Sequence, residues 1–190
     1  MDWTLPGTVV EVEENDVDGV EKFFSSVSIA GGLVMSQVRE ITGLESYTVQ
    51  NWVKRGFLPP PEKKKYSRRQ LCRILLINML KSAMPMDSIC RLLSYVNGDL
   101  EDESDDIIDD SIMYQMLVQL AASNRTAWPP RNLDEELERL LADYIEPVPG
   151  ARDRVAQALK IMLTAWFSSE LIHQAEADMQ NLGISSLKKQ

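Results

Sequence analysis

Residues 46–69, SYTVQNWVKRGFLPPPEKKKYSRR, contain the clearest structural signals of this 190-residue chain. On a helical wheel of residues 46–55, Val49, Trp52 and Val53 share one side. The opposite side carries an aromatic hydroxyl, amides and cations: Tyr47, Gln50, Asn51 and Lys54, with Thr48 and Arg55 at its edge. Gly56 and three consecutive prolines then prevent the helix from continuing. The stretch therefore predicts a short helix with one buried and one exposed side.

Another short helix is predicted immediately before this one. Ser36 is placed to cap it, and Gly43 is placed to end it. Val38 and Ile41 supply an apolar side that can pack against the helix at 46–55. Two short helices joined by a tight turn, here Gly43-Leu44-Glu45, match a helix-turn-helix, whose second helix enters the major groove of DNA.

The exposed side of helix 46–55 has the chemistry that reads base edges. Asn and Gln can pair bidentately with adenine, and Lys can reach guanine or a phosphate. We therefore predict base-edge contacts from Tyr47, Thr48, Gln50, Asn51 and Lys54. The alternative is that these are ordinary polar residues of a solvated surface.

A basic wing at residues 61–69 follows the prolines and is predicted to be a small hairpin or loop. Cations beside a recognition helix can bind the flanking phosphates, which raises affinity without reading sequence. The predicted phosphate contacts are Arg55, Lys63, Lys64, Lys65, Arg68 and Arg69. A charge run can equally be a solvated loop, which is the alternative for this segment.

The remaining pattern is helical. Apolar spacing predicts helices at 16–29, 68–82 and 85–97, then at 105–122, 132–144 and 151–181. Helix 68–82 is apolar on most of its circumference, so we expect it to lie between the N-terminal helices and the C-terminal half. The fold class is all-α with a small β wing, a winged helix-turn-helix followed by a helical C-terminal domain.

Several side chains outside this unit have two interpretations. The acidic run 99–110 contains eight acids and is predicted to be a solvated linker leading to a helix capped by Ser104; otherwise it competes with DNA for the basic face. Asn78 is predicted to be a hydrogen-bonded polar residue of the core. The C-terminal aromatic residues are expected in the core rather than in a small-molecule pocket: Tyr114, Trp128, Tyr144, Trp166 and Phe167.

The chain is acidic overall but its charge is segregated. The formal net charge is −9 and the pI is about 4.7. Residues 36–91, however, carry eleven bases and four acids, while the segments on either side are strongly acidic. The net charge of the whole chain therefore argues against nucleic-acid binding, whereas the basic segment favours it.

Composition and motifs exclude several classes of protein. There is no apolar run of about 18 residues for a membrane span and no signal-peptide pattern at the N-terminus. Two cysteines and one histidine do not indicate a disulfide framework or a zinc site, so we expect a cytoplasmic protein without a metal or cofactor. No nucleophile motif or phosphate-binding glycine loop is present, and we predict that the protein is not an enzyme.

Residues 33–93 resemble the winged helix-turn-helix domain of MerR-type regulators in the order and spacing of their motifs. The segment VQNWVKRGFLPPPEKKKYS looks like an uncharacterised bacterial family of MerR-like proteins described only as a domain of unknown function. The recognition helix departs from the usual MerR pattern of arginines and a tyrosine, and the wing is short. The matching motifs are Ile41-Thr42-Gly43, Arg55-Gly56-Phe57-Leu58-Pro59-Pro60, Tyr66-Ser67 and Pro85-Met86-Asp87-Ser88-Ile89.

The resemblance implies a bacterial transcriptional regulator that binds double-stranded DNA. It also implies a homodimer, because MerR-type proteins pair through a helix after the binding domain, and helix 151–181 has an apolar stripe wide enough for this. We divide the chain into an N-terminal extension (1–32), a DNA-binding domain (33–97) and an acidic domain for dimerisation or signal reception (98–190). The alternative function is a non-catalytic module that contacts an acidic protein through the same fold.

Overall fold

The protein is mostly helical, as the sequence predicts. The computed structural model describes residues 3–12, 24, 27, 29–100, 102–125 and 128–183. Among these residues are seven α-helices: α1 Met35–Thr42, α2 Ser46–Lys54, α3 Arg68–Leu80, α4 Met86–Asn97, α5 Asp110–Asn124, α6 Leu133–Leu140 and α7 Ala151–Asn181. The described strands are β1 Trp3–Thr4, β2 Glu11–Val12, β3 Leu33–Val34 and β4 Lys65–Tyr66. The predicted helix 16–29 lies mostly outside the described residues.

The strands form two small antiparallel pairs. β1 pairs with β2 in a hairpin at the start of the chain. β3 pairs with β4, with Leu33 opposite Tyr66 and Val34 opposite Lys65. The basic wing is therefore held, through β4, against the residues that precede α1.

The junction of α1 and α2 is close to the prediction. Gly43 ends α1 at a φ of 68°, and its N–H donates to the carbonyl of Arg39. The predicted cap at Ser36 is wrong, because α1 already begins at Met35. The N–H of Val34 instead donates to Oε1 of Gln37 at 3.0 Å, which stabilises the start of the helix.

Helix α3 is at the centre of the molecule, which confirms its predicted position. Leu71, Ile74 and Leu75 are fully buried, and α3 contacts α1, α5 and α7. Ser67 caps the helix as predicted, since its Oγ accepts the N–H of Gln70 at 3.1 Å. One apolar core extends across residue 97 into the C-terminal half. The predicted domain limits remain predictions.

One polar side chain behaves as predicted in this core. Nδ2 of Asn78 donates to the carbonyls of Gly7 at 2.8 Å and Thr42 at 3.0 Å, so its amide is satisfied. Cys72 lies in the same core and is fully buried. Tyr114, Trp166 and Phe167 are buried as predicted and Tyr144 is half-buried, whereas the prediction of a core position is wrong for Trp128, which is exposed.

The acidic run differs from its predicted structure. Helix α5 begins at Asp110 rather than at 105, and the carboxylate of Asp109 caps it by accepting the N–H of Ser111 at 2.7 Å. Ile107 and Ile108 are buried, which holds the preceding residues against the core. The prediction of a solvated linker is therefore wrong for this part of the run.

The C-terminal helices follow the predicted order. Helix α6 ends at Leu140, earlier than predicted, and Asn132 makes no side-chain capping bond. Helix α7 has the predicted bounds, and its residues from Leu171 onward are all exposed. Within the described ranges, no helix combines the length and apolar character needed to cross a bilayer.

Candidate nucleic-acid interface

The exposed side of α2 is the first part of the candidate site. Val49 and Trp52 are buried, and Trp52 is only 4% exposed, so this side anchors the helix. Tyr47 is 72% exposed on the opposite side. Gln50, Asn51 and Lys54 are also exposed, and Thr48 is half-buried. The predicted division of the helix into an anchored and an accessible side is confirmed.

Short local contacts fix the angle at which α2 leaves α1. The hydroxyl of Thr42 donates to the carbonyl of Val38 at 2.8 Å and accepts the N–H of Leu44 at 3.1 Å. Arg39 and Glu45 form an exposed ion pair at 3.2 Å across the same turn. An exposed pair of this kind contributes little stability, so the Thr42 bonds are the main local restraint.

Residues 62–65, which we call the lysine turn, form the tip of the basic wing. The N–H of Lys65 donates to the carbonyl of Glu62 at 2.8 Å and closes the turn. Lys63 and Lys64 have positive φ values of 47° and 65°. Two consecutive residues in this region make a turn that Asn-Gly favours, and each ordinary side chain there costs about 1 kcal/mol. Both lysine side chains are exposed.

Two more of the predicted phosphate contacts are exposed: Lys65 at the end of the lysine turn and Arg55 after α2. Nζ of Lys65 donates to the carbonyl of Ala30 at 2.9 Å. The guanidinium of Arg55 lies 4.5 Å from the centre of the Phe57 ring, which orients it at the end of α2. Arg55 and Lys65 thus remain accessible at the surface with defined positions.

The last two predicted phosphate contacts are less exposed. Arg68 is half-buried and its guanidinium lies 6.0 Å from the Phe24 ring. Arg69 is 17% exposed and forms ion pairs with Asp106, and with Asp109 and Asp110 at 3.5 Å each. Because these carboxylates already compensate its charge, this placement does not favour Arg69 as a phosphate contact.

Sequence reasoning missed the buried ion cluster to which Arg69 belongs. Nε of Arg73 donates to Oδ2 of Asp110 at 2.9 Å, and Nδ2 of Asn97 donates to the other oxygen at 3.0 Å. Arg73 and Asp110 are 2% and 1% exposed. Burial raises the pKa of Asp110, and Arg73 and then Arg69 oppose that shift.

A sequence signal for the ion cluster did exist. Arg69 and Arg73 are four residues apart on α3, and Asp106 and Asp110 are also four residues apart. Two cations on one face of an apolar helix require buried partners, since unpaired buried charges are very unfavourable. Among the described residues, no group of three or more His, Cys, Asp or Glu side chains is arranged to bind a metal ion.

The match to a known family covers this entire surface. The family model of a domain of unknown function, DUF1836, matches residues 20–117. The chain belongs to this family. The DUF1836 segment contains α1, α2 and the lysine turn, and it extends far enough to include both sides of the ion cluster. The structural unit shared with the family therefore continues past residue 97 into α5.

A curated bacterial protein is similar to part of the chain. The uncharacterised protein YkrK of Bacillus subtilis (strain 168) is 35% identical over 80 residues, which are 40% of this chain and 34% of that protein. The chain thus matches about a third of the length of this curated relative. No solved structure matches the chain.

Proposed function

We propose that this DUF1836 member is a sequence-specific DNA-binding protein and a bacterial transcriptional regulator. In this proposal α1 and α2 form a MerR-like helix-turn-helix, α2 enters the major groove, and the basic wing contacts phosphates. The observation that carries the proposal is the exposed polar side of α2 lying next to the lysine turn. Gln50 and Lys64 line the same shallow depression of about 280 Å³, so the two features form one surface.

The proposed base contacts are the accessible side chains of α2. Gln50 and Asn51 offer the donor and acceptor pair that matches adenine, and Lys54 offers a donor for guanine. Tyr47 and Thr48 extend the same face. Because Trp52 and Val49 anchor the opposite side, the polar side chains are presented on a fixed helix.

The backbone of the lysine turn supports a role in binding anions. Its two left-handed residues are lysines, although asparagine and glycine adopt these conformations at lower cost. Stability alone does not favour lysine at these positions. Phosphate contact gives a reason for them, since each neutralised phosphate releases counterions and raises affinity.

The proposed active species is a homodimer formed through α7. The last turns of this helix expose apolar side chains, including Leu171, Ile172 and Met179. Leu171, for example, is 60% exposed. Exposure of several apolar side chains along one helix to water is unfavourable unless a partner covers them. A second subunit would bury this stripe and place two α2 helices on one duplex. No catalytic step is part of the proposal.

Selection from a random duplex library by the full chain tests this function. Enrichment of a defined motif is expected. Replacing Asn51 with Ala should reduce discrimination at one base position by about 1–3 kcal/mol, because a bidentate base contact is lost. Replacing Lys64 with Ala should weaken binding to all sequences alike and lower the salt dependence by about one unit.

Two results would contradict the proposal. If Asn51→Ala selects the same motif with the same discrimination, α2 does not read bases. If the chain enriches no duplex and binds none at low salt, the basic surface serves another partner, and a module that contacts an acidic protein becomes the better interpretation.

A further inference from the structure

A groove outside the candidate nucleic-acid interface has the features of a ligand site. Its volume is about 690 Å³, within the usual range for small-molecule sites. It lies between the N-terminal residues 3–9, the junction of α1 and α2, the C-terminal end of α3 and the middle of α7. None of the residues proposed for DNA contact lines it.

The charged side chains of the groove are mainly basic. Lys81 follows α3 and Arg125 follows α5, so cationic groups converge from two elements, and the imidazole of His173 on α7 adds a hydrogen-bonding group. Glu170 is the acid that lines the groove, and its Oε1 lies 3.8 Å from Nδ1 of His173. Partial desolvation by the walls lowers the pKa of Lys81, although its side chain is exposed. This excess of cations occurs in a chain of net charge −9.

The same groove has an aromatic wall. The rings of Trp3 and Trp166 meet edge to face with centroids 6.4 Å apart, and Met79 lines the groove beside them. A flat apolar group could pack on this wall while its charged end reaches the cations. The combination of surfaces therefore matches an organic anion rather than a simple inorganic ion.

The N-terminal wall is held in place by specific bonds. The hydroxyl of Tyr114 donates to the carbonyl of Pro6 at 2.7 Å, and Asn78 donates to the carbonyl of Gly7. Gly7 packs so closely on α3 that a Cβ atom there would lie 2.2 Å from the carbonyl oxygen of Leu75. A wall fixed in this way loses little conformational freedom when a ligand binds, which favours affinity.

We propose that this groove binds a small organic anion with a flat apolar body and one carboxylate or sulfonate group. The apolar body would contact the Trp3 and Trp166 wall, and the anion would be bound by Lys81 with Arg125 and His173. The proposal does not depend on DNA binding, because it concerns residues outside the candidate nucleic-acid interface.

The site is connected to the turn that orients α2. Thr42 and Gly43 line the groove, and the Thr42 hydroxyl accepts the N–H of Leu44. A bound ligand would hold this turn in one conformation. Amide hydrogen exchange at residues 43–45 should therefore slow when the groove is occupied.

Titration of the full chain with 1-anilinonaphthalene-8-sulfonate, a flat fluorescent sulfonate, tests the site. One probe should bind per chain, and naphthalene-2-carboxylate should displace it at about a tenfold lower concentration than naphthalene-2-methanol, which has no charge. The variant Lys81→Met should weaken the carboxylate about three- to fivefold, because one partly exposed charge contact is lost. Lys160→Met is the matched control, since Lys160 lies on α7 outside the groove.

Three results would overturn the proposal. They are equal displacement by the carboxylate and the alcohol, an equal effect of Lys81→Met and Lys160→Met, and hydrogen exchange at residues 43–45 that the carboxylate leaves unchanged. All three measurements are made without DNA, so their outcome is separate from that of the library selection. Circular dichroism of both variants verifies that they are folded.

Discussion

At the scale of single residues, the lysine turn places two lysines in backbone conformations that reduce the stability of the fold. Lys63 and Lys64 have left-handed backbone conformations that disfavour side chains with a Cβ atom. Strain of this kind persists where the surrounding structure imposes it, and it is concentrated at functional sites. The DNA-binding proposal explains why cations are found at these two positions.

The double variant Lys63→Asn/Lys64→Gly tests this interpretation. The new residues suit the turn, so the free energy of unfolding in urea should rise by about 1 kcal/mol. Duplex affinity at 0.1 M salt should fall by about tenfold or more, since two cations are removed. Fluorescence anisotropy with a labelled duplex measures the second effect.

The matched control for this variant is Lys63→Arg/Lys64→Arg, which keeps both the charge and the backbone strain. It should change neither quantity appreciably. If the Asn/Gly variant becomes more stable while its duplex affinity is unaltered, the lysines have no role in phosphate binding.

Single-residue features were predictable where the signal is local. The cap at Ser67, the end of α1 at Gly43 and the burial of Trp52 all follow from nearby residues. The bonds of Arg69 were not predictable in this way, because its carboxylate partners are about forty residues away in the sequence. Because Arg69 follows a run of lysines in the sequence, we predicted that it belongs to the basic surface.

At the scale of elements, the ion cluster joins the start of α3 to the start of α5. Arg69 and Arg73 extend from α3, and Asp110 is the first residue of α5. The link lies directly behind the basic wing, since α3 begins two residues after β4. The acidic run is thus attached to α3, next to the basic wing, through a buried contact and is not a free linker.

Arg73→Met tests how much this ion cluster contributes to the stability of the fold. Removing one partner leaves Asp110 buried without its main cation, so the free energy of unfolding should fall by about 3–5 kcal/mol. Arg73→Met/Asp110→Leu should recover most of that loss, because it removes the unpaired charge. Urea unfolding measures both, with the exposed Arg91→Met as a control that changes stability by less than about 0.5 kcal/mol.

The same variant has a predictable pH dependence. Burial raises the pKa of Asp110, and loss of Arg73 removes its largest opposing charge. The folded variant then binds a proton more readily than the unfolded chain, so its stability deficit should shrink as the pH falls towards about 4. An Arg73→Met variant as stable as the unmodified protein would show that the ion cluster is dispensable.

At the scale of the whole molecule, one core connects the basic segment to the acidic half. Helix α3 belongs to both, so its all-round apolar pattern correctly predicted a central position. The pairing of β3 with β4 and the groove between residues 3–9 and α7 were not predictable, since each brings together residues far apart in the sequence. Apolar spacing correctly predicted that these helices exist, whereas the residues before α5 were mispredicted because Ile107 and Ile108 are buried against the core.

The salt dependence of duplex binding by the full chain tests the proposed DNA binding most directly, because the proposed contacts lie in the basic segment of an acidic chain. If each subunit neutralises about four phosphates, the logarithm of affinity should fall against the logarithm of salt concentration with a slope of about −4. A dimer on the duplex should give about −7, and light scattering under the same conditions reports which species is present. Binding that is absent at low salt, or that does not change with salt, would contradict the proposal that this protein binds DNA through α2 and the basic wing.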